Sequence, residues 1–154
     1  MHVKRLMQKF RFKLEGVLSV KQRLEEQAKA AFAAAMQTLN ACEQKKYLAE
    51  VCVAMYEKRL EDLVNGVLNI TEINVCKDAL RIVREDLAEK ENAVKRANNR
   101  VELCRKNLSN AIIERKTIEK LKEKAFEEYV KEYNDEERKQ IDELVSYRHN
   151  KSEI

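Results

Sequence analysis

From Ile73 to Cys104 apolar residues recur at steps of three and four for more than four heptads: Ile73, Cys76, Leu80, Val83, Leu87, Val94, Ala97, Val101 and Cys104, with Lys90 in the one polar slot. Such a seam is the mark of a coiled coil rather than of a globular-domain helix. A matching strip lies upstream: Phe32, Ala35, Leu39, Cys42, Lys46, Ala49, Val53, Tyr56, Leu60 and Leu63. Paired antiparallel so that the two residue numbers of every layer add to 136, the strips fit throughout, from Leu63 on Ile73 to Phe32 on Cys104, and the polar slots Lys46 and Lys90 coincide. The spacing predicts an all-α chain whose two long helices form an antiparallel coiled-coil hairpin.

Composition supports this. There is no proline, only two of the 154 residues are glycine and 38% are charged, so the chain has few places to bend. The apolar residues form a stripe, which separates long helices from disorder. A first helix is expected over about residues 10–64, a turn over 65–72 and a second helix over about 73–147, within a single unit of residues 1–154. At about 1.5 Å per residue the helices would be roughly 80 and 110 Å long, so the second overhangs the first. Ahead of Phe32 the apolar face is expected to continue through Val3, Leu6, Phe10, Leu14, Val17, Leu24 and Ala28, with a phase slip near Ala31 and Phe32. The same sum places Leu6 on Val130, Phe10 on Phe126, Leu18 on Ile118 and Leu24 on Ile112.

Gly16 would mark a bend or a close contact. Asn65 and Gly66 are expected to stop the first helix in the left-handed conformation that both tolerate, and Asn69 or Thr71 to cap the second. Val67, Leu68 and Ile70 either fold back over the last layer or offer a docking site at the turn. Beyond about Asn134 no partner strip remains, yet Ile141, Leu144, Val145 and Tyr147 still keep a helical stripe. That stripe either frays or is completed by another protein.

No two of Cys42, Cys52, Cys76 and Cys104 share a layer and no CxxC spacing occurs, so the expectation is free thiols in a reducing compartment, with no metal site. No signal peptide and no membrane span is legible. His2 and His149 lie near the ends, and no phosphate loop or nucleophile motif is present, so the chain is read as a non-enzyme without a cofactor. Charge is uneven: seven Lys or Arg against one Glu from Met1 to Arg23, ten against four acids from Lys95 to Lys124, but eight acids against three bases from Glu127 to Glu143. A basic end to the hairpin implies an acidic partner, either a protein surface or nucleic acid.

The opening Phe10-Arg11-Phe12-Lys13-Leu14-Glu15-Gly16-Val17-Leu18, with Arg23 and Glu26 following, resembles the start of the flagellar export protein FliJ family. The likeness recurs at Glu114-Arg115-Lys116, at Glu119-Lys120-Leu121 with Lys124, and at Asp142-Glu143-Leu144. The resemblance implies a cytoplasmic stalk of the type III export apparatus, peripheral to the inner face of the cell membrane at the flagellar base through its partners. Those partners would be the hexameric export ATPase, the membrane export gate protein and export chaperones, and not nucleic acid. The ATPase contacts it implies are Arg11, Leu14, Glu15, Leu18, Arg23, Arg115, Lys116, Lys120 and Leu121. The Phe-rich opening favours the flagellar system over an injectisome. A nucleic-acid-binding helical arm and a generic coiled-coil scaffold are the alternatives; the arm lacks exposed aromatics for base stacking.

Overall fold

The structure, a computed structural model, describes residues 9–153. It holds two helices, α1 at Glu15–Asn65 and α2 at Ile70–Ser152, and no strand among the described residues. Contacts divide the chain into two units, Glu26–Asn110 and Met1–Glu25 with Ala111–Ile154. In each, a length of α1 packs antiparallel on a length of α2.

In the Glu26–Asn110 unit every predicted seam position from Phe32 to Leu63 and from Ile73 to Cys104 is buried or half-buried. Ala35, Leu39, Ala97, Val101 and Cys104 form its core, with Phe32, Met36, Cys42 and Val94 packed against them. The Cys76 thiol approaches the Tyr56 carbonyl oxygen at 3.7 Å, and all four cysteines are free. Lys46 and Lys90 share a layer without sharing a counter-ion: Lys46 turns to Glu50 at 3.8 Å and Lys90 to Asp86 at 3.6 Å, each on its own helix. The ammonium groups thereby reach the rim while their methylene stems stay in the seam.

The turn departs from expectation. Neither Asn65 nor Gly66 has a positive φ, so no left-handed cap ends α1. Gly66 has a different reason to be small, since a Cβ there would stand 3.2 Å from the Asp62 carbonyl oxygen. Asn69 is the residue that caps α2. Its Oδ1 accepts hydrogen bonds from the backbone N–H groups of Thr71 at 3.1 Å and Glu72 at 3.3 Å, satisfying donors that the helix leaves open. With the cap at Asn69, α2 begins at Ile70 rather than at Ile73. Val67, Leu68 and Ile70 do not fold back over the last layer; Val67 is 95% exposed.

In the other unit α1 starts at Glu15, not near Phe10. Lys9, Arg11 and Lys13 are placed unfavourably for the positive end of a helix dipole, whereas Glu15 suits it. Phe10 still meets Phe126 as the sum rule requires, edge to face with ring centroids 5.2 Å apart. The expected phase slip is absent. Leu24 is exposed, and the three-four alternation runs back from Phe32 through Ala28, Glu25 and Lys21 to Leu18. A continuous heptad thus takes precedence over the more apolar choice. Gly16 has nothing within 4 Å of the place a Cβ would occupy, so it marks no close contact. The expected layer of Leu6 and Val130, and Val3, involve residues outside those described. α2 continues to Ser152, five residues past the expected end, and every residue from Val130 to Glu153 is exposed.

Candidate partner-docking surface

All nine residues singled out for partner binding lie in the unit that ends α2. Heptad geometry sorts them. Leu18 points into the helix pair and is 4% exposed, against a half-buried Ile118, so its part is to hold α1 on α2. Arg115 also occupies a seam position. Its guanidinium donates through Nε to the Glu25 carboxylate and through Nη1 to Glu119 at 2.7 Å. Those two hydrogen bonds, to Glu25 first and then Glu119, hold its pKa above the ordinary arginine value. Glu25, only 6% exposed, is the one charged residue among the described residues to be buried. The sum of 136 pairs it with Ala111, a small and half-buried residue.

Two more ion pairs join the helices at this end. Lys21 meets Glu114 at 2.9 Å, and Lys122 meets Glu15 at 3.0 Å. Glu15 is thus already engaged. The remaining six, Arg11, Leu14, Arg23, Lys116, Lys120 and Leu121, are exposed. Ahead of α1, residues 9–14 lie along α2 and leave an open cleft of about 950 Å³ lined by Phe10, Phe12, Leu14, Ala125, Tyr129 and Glu132. This surface can offer cationic side chains beside apolar ones to acidic loops of a protein. Among the described residues no group of three His, Cys, Asp or Glu side chains could hold a metal ion, and no helix is long and apolar enough to cross a membrane.

Apolar spacing does not single out Glu25, Lys21 or Lys122, and Glu119 stands out only as part of the Glu119-Lys120-Leu121 segment. The signal was there for the first two: stepping back by four and three from Phe32 reaches them, but Leu24 and Val17 draw the eye to an adjacent face.

A family model described as flagellar FliJ protein matches residues 10–153. Among solved structures the chain is similar to a protein described as a YscO homologue from Chlamydia trachomatis, at 21% identity and a TM-score of 0.49, over 92% of this chain and 96% of that one. No curated protein matches.

Proposed function

The chain belongs to the flagellar FliJ protein family, and from that membership we propose that it is a non-enzymatic stalk of the flagellar type III export apparatus. In this reading it binds the export ATPase ring through the unit that carries Arg11, Leu14, Arg23, Lys116, Lys120 and Leu121. It couples that ring to the export gate and to export chaperones from a cytoplasmic position held at the membrane by its partners. The observation that carries the reading is the family match over nearly the whole chain. The exposed cations beside Leu14 and Leu121 support it, because a shaft end seated among protein loops needs contacts that are both charged and apolar.

The test uses the purified chain and the export ATPase of the same organism, with ATP hydrolysis and ring assembly followed across a titration. Saturable stimulation is expected, and R11E/K116E/K120E should abolish it while circular dichroism stays that of the parent. Arg115 is unsuited to this test: reversing its charge would set a carboxylate against Glu25 inside the seam and disturb the fold. Full stimulation by the triple variant would remove the charged-surface mechanism. Failure of the unaltered chain to bind or stimulate would remove the stalk reading.

A further inference from the structure

Phe126, Val130, Tyr133, Ile141, Leu144 and Tyr147 fall on one face of α2, within about 60° of its centre line at 100° per residue, and are 38% to 62% exposed. Phe10 rests on the Phe126 end of this stripe; no described residue from another part of the chain covers the rest. From Phe126 to Tyr147 it runs roughly 32 Å along the helix. A stripe of this length and width is what a helix buries against another helix, and exposed apolar surface of this continuity marks an interaction site.

Charge identifies the occupant. On the same wheel Glu132, Glu136 and Glu143 line one edge of the stripe, and Glu137 lies within it. The three bases of the Glu127–Glu143 stretch, Lys131, Arg138 and Lys139, fall on the back of the helix instead. None of the four glutamates is in an ion pair among the described residues. At the far end Tyr147 already accepts a cation on its ring, Lys151 Nζ lying 5.9 Å from the centroid. A second copy laid antiparallel on the same face would bring its own acidic edge against the first and be repelled. We propose that the exposed face of α2 from Phe126 to Tyr147 is a docking surface for a basic amphipathic helix of another protein, with apolar anchors on the stripe and Lys or Arg along the glutamate edge.

The probe is a fluorescein-labelled amphipathic helical peptide with leucine on one face and lysine on the flanks, compared by anisotropy with the same peptide carrying glutamate on the flanks. The full chain should bind the lysine peptide saturably, one to one, and the glutamate peptide about tenfold more weakly or worse. Two variants place the site. I141S/L144S/Y147S removes anchors that nothing in the chain covers, and E132K/E136K/E143K reverses the edge while leaving the stripe intact. Each should weaken the lysine peptide by about tenfold or more, and the edge variant should now favour the glutamate peptide. Should the serine variant lose helix content, the edge variant decides alone. Equal binding of the two peptides, or unaltered preference in the edge variant, overturns the proposal. So does a dimer in sedimentation that the serine variant abolishes, since the face would then belong to a second copy. Neither readout involves the ATPase, so either outcome leaves the stalk reading to its own test.

Discussion

Glu25 and Arg115 stand where a coiled coil normally places apolar side chains. A carboxylate taken out of water is costly unless its charge is met, and Arg115 meets it while also bonding Glu119. Removing only the arginine takes from the buried Glu25 its partner on the facing helix. We therefore expect R115M to lower the urea midpoint further than E25L/R115M does, because the double variant replaces the pair by apolar contacts. A double variant no more stable than R115M would show that Glu25 finds another partner as good. The pH dependence has a definite sign. Arg115 binds its proton more tightly when folded, so its contribution is complete below the ordinary arginine pKa and is lost only as pH rises beyond it. Between pH 6 and 9 the stability difference between parent and R115M should show no arginine step in parallel urea titrations. Gly16 presents the opposite case. It sits in the first turn of α1 with open space around it, so G16A should stabilise by up to about 1 kcal/mol through helix propensity, measurable as a raised urea midpoint.

For the helices, stability resides in the seam and in the cap that starts α2. N69A removes the acceptor for the Thr71 and Glu72 N–H groups and should cost about 1 kcal/mol in urea denaturation, most of it recovered by N69D. V101A, at a position 3% exposed, should cost about 2 kcal/mol or more, while V67S in the open turn should stay within about 0.5 kcal/mol of the parent. The contrast explains what was legible. From Phe32 to Cys104 the apolar period is nearly unbroken, so face, pairing and layer all follow from spacing alone. Around Leu24 the chain carries two adjacent stripes, one through Val17 and Leu24 and one through Lys21 and Glu25, and hydrophobicity alone chooses the first. The structure takes the second because it keeps the heptad in phase and lets Lys21 and Arg115 reach carboxylates. Turn geometry was harder still: Asn65-Gly66 allows a left-handed cap without requiring it, and only the hydrogen bonds to Asn69 Oδ1 decide between Asn69 and Thr71 as the cap of α2. Among the partner-contact candidates, the sum rule already seats Leu18 on Ile118, whereas the burial of Arg115 is hidden in the sequence because a charged residue holds the seam position.

For the chain as a whole, the open question posed by its sequence is what keeps two helices paired with each other and not with those of a second copy. Only four residues, 66–69, join α1 to α2, and opening them would exchange the same layers between two chains at little cost in contacts. Register must therefore be specified by something other than apolar area, and the layer of Lys46 and Lys90 is suited to the task. In the register that sums to 136 the two lysines fall in one layer, both half-buried, and each finds a carboxylate one turn away on its own helix. Any slipped register would set a lysine stem and its charge against an apolar partner. A single polar layer of this kind specifies alignment at a cost in stability. K46L/K90L should accordingly stabilise by about 2 kcal/mol, for two leucines in place of half-buried lysine stems, seen as a higher urea midpoint, and should at the same time let dimers or slipped pairings accumulate. Sedimentation velocity and a disulfide trap between cysteines placed at Ala49 and Leu87 report the two effects separately. If the leucine variant gains stability yet remains a monomer that cross-links Ala49 to Leu87 as efficiently as the parent layer does, the apolar layers alone fix the register and the lysines are merely tolerated.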